Sequence, residues 1–288
     1  MPSLKDIRNR IGSVKNTRQI TRAMKLVAGA KLRRATDAAT AAKPYQETLS
    51  RVLNRVAQAA GDVEHPLLRT PDNQDDVLVI VFTSDRGLCG GFNNALCRKT
   101  VGEIDALVAN GKNVRVLAYG RKGRDYFQNR GYTLADSTTD LDPDTFADLA
   151  SDLVDRLIKE LEENKFSSVL LAANEYRNVM SQEPVVQAIL PMKVEADDNA
   201  SGAAIEYDYE PNGTEILSGI LPMALKTQLF QAFLEKEAGE QAARMTAMDS
   251  ATRNASDLIQ TLTLEYNRAR QAAITKELIE IVSGAEAL

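Results

Sequence analysis

The chain of 288 residues has no tryptophan, one histidine, two cysteines and only 5% aromatic residues. Each scarcity closes off some chemistry. His65, set beside Pro66, has no second imidazole with which to hold a metal and no nucleophile to activate. Cys89 and Cys97 form neither a C-x-x-C pair nor a zinc-type spacing, so they read as reduced, buried thiols. No apolar run reaches the roughly 18 residues needed to span a bilayer. The opening MPSLKDIRNRI enters a helical pattern almost at once, which predicts no secretory or mitochondrial-type leader. No zinc, calcium or catalytic-triad signature occurs, and no GxxxxGK[ST] phosphate loop, so no cofactor is expected. Few rings and abundant alanine suit long helices packed closely.

What the chain does have is two long apolar-striped segments, one at each end. One column recurs every seventh residue as Ile7, Val14, Thr21, Ala28, Ala35, Ala42, Leu49 and Val56. Its companion is Leu4, Ile11, Arg18, Lys25, Leu32, Ala39, Gln46 and Leu53. A seam sustained over about eight heptads predicts a coiled-coil helix over 1–60, on the order of 80 Å long. Ser3 is its expected N-cap with Asp6 as the capping-box acid, and Pro44 is expected to kink it without ending it. A second rod is predicted over 205–288, with Pro222 interrupting it early and a stripe of Met248, Ala251, Ala255, Leu258, Leu262, Ala269 and Ala272. With a domain between them, the rods most simply return side by side as an antiparallel coiled coil. Arg18 and Lys25 fall inside the seam, where polar residues lower stability, so the coil is expected to need wrapping by something else.

Between the rods, 75–195 reads as a Rossmann-like α/β domain. Val77–Phe82 is a continuous β-branched run typical of a strand buried on both faces. Val114–Tyr119, Val169–Ala172 and Val185–Leu190 are the next expected strands, alternating with helices that end near Asn110, Arg130 and Asn164. That alternation predicts a mostly parallel sheet. Ile205–Tyr209 alternates like an edge strand. The turn Asp85–Gly91 sits where a phosphate cradle would, but matches neither the P-loop nor GxGxxG, so a tight strand-to-helix turn is the expected reading.

Charge is unevenly spread. The net charge is −5, yet residues 1–60 hold 13 Lys and Arg against 3 Asp and Glu. Arg8, Arg10, Lys15, Arg22 and Lys31 flank the seam. A basic helix on an acidic body asks for an acidic partner surface. Nucleic acid fits poorly, because no aromatic residue is interleaved before Tyr45 and no groove-reading motif occurs.

Four segments carry a specific resemblance: Ile20–Leu32 (ITRAMKLVAGAKL), Thr83–Gly91 (TSDRGLCGG), Gln241–Met248 (QAARMTAM) and Ile274–Ala285 (ITKELIEIVSGA). In order and spacing they resemble the gamma subunit of the F-type ATP synthase, bacterial type, over essentially the whole chain. The resemblance implies a non-catalytic rotor shaft that links a proton-driven c-ring to the catalytic alpha and beta subunits. It places the chain peripherally on the cytoplasmic face of the inner membrane, with epsilon as a further partner. By the same resemblance Met24 and Lys25 meet levers of the beta subunits. Arg270, Gln271 and Thr275 reach loops of the catalytic subunits, and Tyr207, Asp208 and Glu210 dock on the c-ring and epsilon. The apolar Ile274, Leu278, Ile281 and Val282 would turn in an apolar collar. Two other readings of the residues remain. A hinge protein of the chromosome-maintenance type also sets a domain between antiparallel rods, but needs ATPase head motifs. A nucleotide-binding α/β module would require the Gly87–Gly91 turn to hold phosphate.

Overall fold

The computed structural model describes residues 3–60, 65–69, 75–192 and 213–286. In chain order the elements are α1 (Leu4–Ala60), β1 (Asp76–Phe82), α2 (Phe92–Ala109), β2 (Asn113–Tyr119), α3 (Arg121–Gln128), β3 (Leu134–Thr138), α4 (Phe146–Glu162), β4 (Ser168–Asn178), β5 (Ser181–Leu190) and α5 (Gly213–Glu286). The contacts divide the chain into two units, Met1–Gly29 with Arg244–Leu288, and Ala30–Ala243.

The larger unit is built on a five-stranded sheet in the order β3-β2-β1-β4-β5. β1 pairs in parallel with β2 and β4, β2 with β3, and β5 alone runs antiparallel, to β4. The central place of β1 explains its unbroken apolar sequence, since both of its faces must be covered. Val77, Val79 and Val81 point into one core with Leu96, Cys97 and Ile104 of α2 and Phe127 of α3. Leu78, Ile80 and Phe82 point into the other, with α4, with Ala39, Leu53 and Val56 of α1, and with Leu217–Leu234 of α5. Phe233 anchors this second core: its ring stacks 4.0 Å from Phe82 and 5.2 Å from Phe146, and meets Tyr119 edge-on at 5.3 Å.

β3 was not expected, because its sequence LADST lacks an apolar run; it is a half-buried edge that pairs only with β2. The expected strands at 169–172 and 185–190 are therefore the fourth and fifth. Both are longer than expected, joined by a tight turn in which the Asn178 carboxamide accepts from the Met180 and Ser181 amides at 2.9 and 3.0 Å. Pro184 is tolerated in β5 because that strand is an edge. Pro143 opens a single 3₁₀ turn, Pro143–Thr145, and not α4 itself.

The N-terminal cap of α1 forms as expected. The Asp6 carboxylate accepts from the Ser3 amide and hydroxyl at 3.1 and 2.7 Å, and the Ser3 hydroxyl accepts from the Asp6 amide at 3.2 Å. α1 then runs through Pro44 without a break. α5 likewise runs unbroken through Pro222, which corrects the expected interruption there. The reason is packing. An interior proline costs about 3 kcal/mol, while Leu217, Leu221, Leu225 and Leu229 are all buried at four-residue spacing around it. Each buried leucine contributes about 1.5–3 kcal/mol, so the stripe outweighs the lost backbone bond. The expected edge strand Ile205–Tyr209 lies outside the described residues.

Candidate partner-binding surface

In the smaller unit the two helices close on each other along the expected α1 seam. Every column member of this unit, from Leu4 to Ala28, is buried or half-buried, and in the larger unit the columns stay covered through Val56. The partner stripe on α5 differs in part from expectation. Leu258 is 38% exposed and Ala272 is exposed, while Met248, Thr252, Ala255, Ile259, Leu262, Tyr266, Ala269 and Ala273 form the covered row. That row alternates steps of four and three, the true heptad spacing, and it admits Thr252 and Tyr266, which a purely apolar stripe misses.

Polar contacts tie this seam. Thr21 and Thr252 share a hydroxyl–hydroxyl bond of 2.8 Å, Lys25 Nζ donates to Asp249 Oδ1 at 2.5 Å, and Arg8 Nη2 donates to the Tyr266 hydroxyl at 2.7 Å. As the α1 number rises the α5 number falls, so the pair is antiparallel. Asp249 also takes Arg253 at 3.2 Å. Its carboxyl is held below the usual range chiefly by the Lys25 hydrogen bond, which outweighs the opposing effect of burial, with help from the Arg253 and Lys25 charges. At Gly29 an added Cβ would lie 3.4 Å from Met245 Sδ, an ordinary van der Waals contact, so the helices pass close there without requiring glycine.

The residues singled out from sequence are distributed unevenly over this surface. Met24 is half-buried, and Lys25 spends its charge on Asp249 inside the pair. Arg270, Gln271 and Thr275 are all exposed on α5. Ile274, Leu278, Ile279 and Ile281 are exposed with them, a run of large apolar side chains that a self-sufficient helix does not leave in water. Tyr207, Asp208 and Glu210 lie outside the described residues. The sequence reading missed a second apolar row on α1: Ile20, Ala23, Val27 and Ala30 are exposed at helical spacing, away from the seam. Its signal was present as a period of three and four, overshadowed by the stronger heptad columns.

The glycine-rich turn after β1 is knitted by its own side chains. Thr83 Oγ1 donates to the carbonyls of Tyr119 and Gly120, both at 3.2 Å, and accepts from the Gly123 amide at 2.8 Å. Gly120 has φ of +103°, and a Cβ there would fall 2.3 Å from the Thr83 carbonyl oxygen, so no other residue fits. The Asn93 carboxamide accepts from the Ser84 amide at 3.0 Å and donates to the Ser84 hydroxyl at 2.7 Å. Asp85 accepts from the amides of Arg121 and Leu141 at 2.9 and 2.8 Å. Burial would raise its carboxyl, but these amides, with that of Asp140 and the nearby Lys236 charge, hold it below the usual range. These side chains are spent on holding the turn. Burial pushes the Cys97 thiol up to about 12, far from a reactive thiolate.

A groove of about 740 Å³ lies between α1, α5, β4 and β5, where Lys43, Arg51 and Arg177 are balanced by Glu47, Glu175 and Glu235. That balance favours no charged cofactor. Among the described residues no cluster of His, Cys, Asp and Glu could hold a metal ion, and no helix is long and apolar enough to cross a membrane.

A family model described as ATP synthase matches residues 3–288. The ATP synthase gamma chain of Dinoroseobacter shibae is 46% identical over 296 residues, and that of an Anaeromyxobacter strain 48% over 295, each covering all of both chains. The chain belongs to the ATP synthase gamma chain family. Among solved structures, a chain of the Euglena gracilis mitochondrial ATP synthase (OSCP/F1/c-ring, rotational state 3) superposes with a TM-score of 0.67 at 19% identity, covering 99% of this chain and 94% of that one. One from the central stalk and c-ring of the Tetrahymena thermophila enzyme gives 0.57 at 22% identity, covering 81% of this chain and 99% of that one. At such identities these two likenesses speak for the fold of this gamma chain relative, and the bacterial relatives for its family.

Proposed function

We propose that this chain is the central rotor shaft of a proton-translocating ATP synthase, carrying rotation of the c-ring to the alpha and beta subunits and holding no catalytic site of its own. Its partners are the alpha and beta subunits, epsilon and the c-ring, and it works peripherally on the cytoplasmic face of the bacterial inner membrane. The observation that supports this reading best is the contrast within residues 244–286 of α5. One row is closed onto α1 by Lys25–Asp249, Thr21–Thr252 and Arg8–Tyr266. Other side chains, among them Arg270, Gln271, Thr275 and the apolar Ile274, Leu278 and Ile281, are exposed. A shaft needs both: internal ties that keep two helices together under load, and outward groups for a surrounding sleeve.

Within this reading Arg270, Gln271 and Thr275 grip loops of the catalytic subunits through charge-assisted hydrogen bonds, each contributing about 1.5–3 kcal/mol when enclosed. The apolar residues near them turn in a collar that offers no directional bonds. Met24, beside Lys25, meets the beta levers, and Tyr207, Asp208 and Glu210 face the c-ring and epsilon. Because a symmetric rod could not distinguish three sites, the unequal faces of the pair are functional.

The test is ATP-driven proton pumping in inverted vesicles, measured beside the amount of assembled complex. Arg270→Ala with Gln271→Ala weakens assembly and ATP synthesis, whereas trimming Gly284–Leu288 leaves both largely intact. A wild-type double mutant together with a truncation that stops pumping contradicts this division of roles.

A further inference from the structure

From Leu225 to Ala242 every residue of α5 is buried or half-buried, and its faces do different things. One face meets α1, where Gln231 Nε2 donates to the Ala39 carbonyl at 3.4 Å. The face turned to the sheet is a stripe of Leu221, Leu225, Leu229 and Phe233, all with no exposed surface. A stripe of similar apolar side chains at four-residue steps is a poor index mark. A shift of one turn sets leucine against leucine at Leu221, Leu225 and Leu229, so these three discriminate poorly between registers, and Phe233 with the positions beyond it must do so. Beyond Phe233, two further positions carry marks that no leucine does. Lys236 is only 2% exposed, and its ammonium lies 3.0 Å from Glu240, 3.4 Å from Glu237 and 5.8 Å from the centre of the Phe146 ring. One turn on from Lys236, Gly239 leaves room where a Cβ would come within 3.0 Å of Phe92 and 3.4 Å of Gln182. A charged knob against Phe146 and a glycine notch against Phe92 and Gln182 therefore follow each other within one turn of α5.

The cluster is an odd choice for stability alone. Burial works against the Lys236 ammonium, but the carboxylates of Glu240 and Glu237 outweigh it and keep the group charged. Buried ion pairs are commonly replaceable by apolar residues with no loss of stability, and their best-attested use is to select one register among many. Here the charge also reaches the turn after β1, because Asp85 feels Lys236.

We propose that Lys236 and Glu240, with the Gly239 notch, act as a key that fixes the angular and axial register of α5 against the α/β sheet. The key rests on the rotor reading for its purpose: torque entering the domain passes to α5 only if the helix cannot rotate in its seat. Lys236 and Glu240 are positioning residues, set apart from the exposed groups that face partners.

The experiment replaces the key with neutral groups of similar size, Lys236→Met with Glu240→Gln, in the assembled membrane complex. A second variant, Glu240→Gln alone, keeps the lysine in place should the double variant assemble poorly. Three quantities are read: the amount of complex, protons pumped per ATP hydrolysed, and the hydrogen-exchange pattern of residues 83–93 and 225–242. The key predicts full assembly, a loss of pumping relative to hydrolysis, and bimodal exchange in both segments as more than one register becomes populated. The single variant shows the same pattern more weakly. Wild-type coupling with a single exchange population overturns the key. So does a parallel fall of assembly, hydrolysis and pumping with uniformly faster exchange, which is what an ordinary packing role produces. Failure of the rotor reading is separable, since it would appear as absent ATP-driven pumping in the unmodified complex.

Discussion

Two stretches of the same helix obey opposite rules. From Leu225 to Ala242 no residue of α5 is exposed, and leucines, Phe233 and even Lys236 are taken out of water by its own chain. From Met248 onward the helix keeps one narrow covered row and leaves Leu258, Leu264, Ile274, Leu278, Ile279 and Ile281 exposed. The first stretch is finished on folding. The second carries apolar surface that its own chain leaves uncovered, and its covered row is tied by hydroxyls and an ion pair where an ordinary core would be wholly apolar. Burial within the chain and readiness for partners are thus written on different segments of one element.

The comparison breaks most easily at its apolar anchor. Phe233→Ala removes a ring that touches Phe82, Tyr119 and Phe146, and urea unfolding of the full chain should show a loss of about 3–5 kcal/mol. A loss below about 1 kcal/mol would mean that the aromatic cluster is not what seats α5.

A sharper division is expected between two leucines four residues apart. Leu262→Ala, on the covered row, should lower hydrogen-exchange protection of residues 245–270 in the free chain by about 2 kcal/mol. Leu258→Ala, facing outward, should leave that protection within about 0.5 kcal/mol and instead reduce recovery of the assembled complex. Equal effects of the two on the free chain would erase the distinction between covered and waiting surface.

The smallest effect concerns pH. Asp249 has a carboxyl depressed in the folded pair, so its contribution is fully present above the usual carboxylate range and is lost as pH falls through the lower, folded value. Protection of amides 18–29 should therefore decline only below the ordinary carboxylate range. In Asp249→Asn that acid-dependent step should vanish. A decline centred near neutrality would point to another group.

Much of this was readable before any coordinates, for identifiable reasons. The capping box at Ser3 and Asp6 and the two α1 columns depend on local spacing, and the structure reproduces both. β1 was plain because a central strand must be apolar on both faces. What escaped depends on distant partners. β3 is an edge that borrows its pairing from β2, and its sequence has no strand signature. Pro222 looks like a breaker until the leucine stripe around it is seen to be buried. The α5 seam was misjudged at Leu258 and Ala272 because Thr252 and Tyr266 belong to it through bonds to Thr21 and Arg8. Among the candidate contact residues, Arg270, Gln271 and Thr275 lie at the surface, and Lys25 pairs with Asp249 while 42% of its side chain stays exposed. Neither local spacing nor composition could reveal that engagement.

The most direct measurement uses the β4–β5 turn. Met180 is 80% exposed there, while Cys89 and Cys97 are both buried, so Met180→Cys offers one accessible thiol for a visible probe. With the alpha and beta subunits fixed to a surface and ATP supplied, the account predicts that the probe on this chain revolves continuously in one direction. Steady ATP hydrolysis by the same complexes with the probe standing still would contradict it.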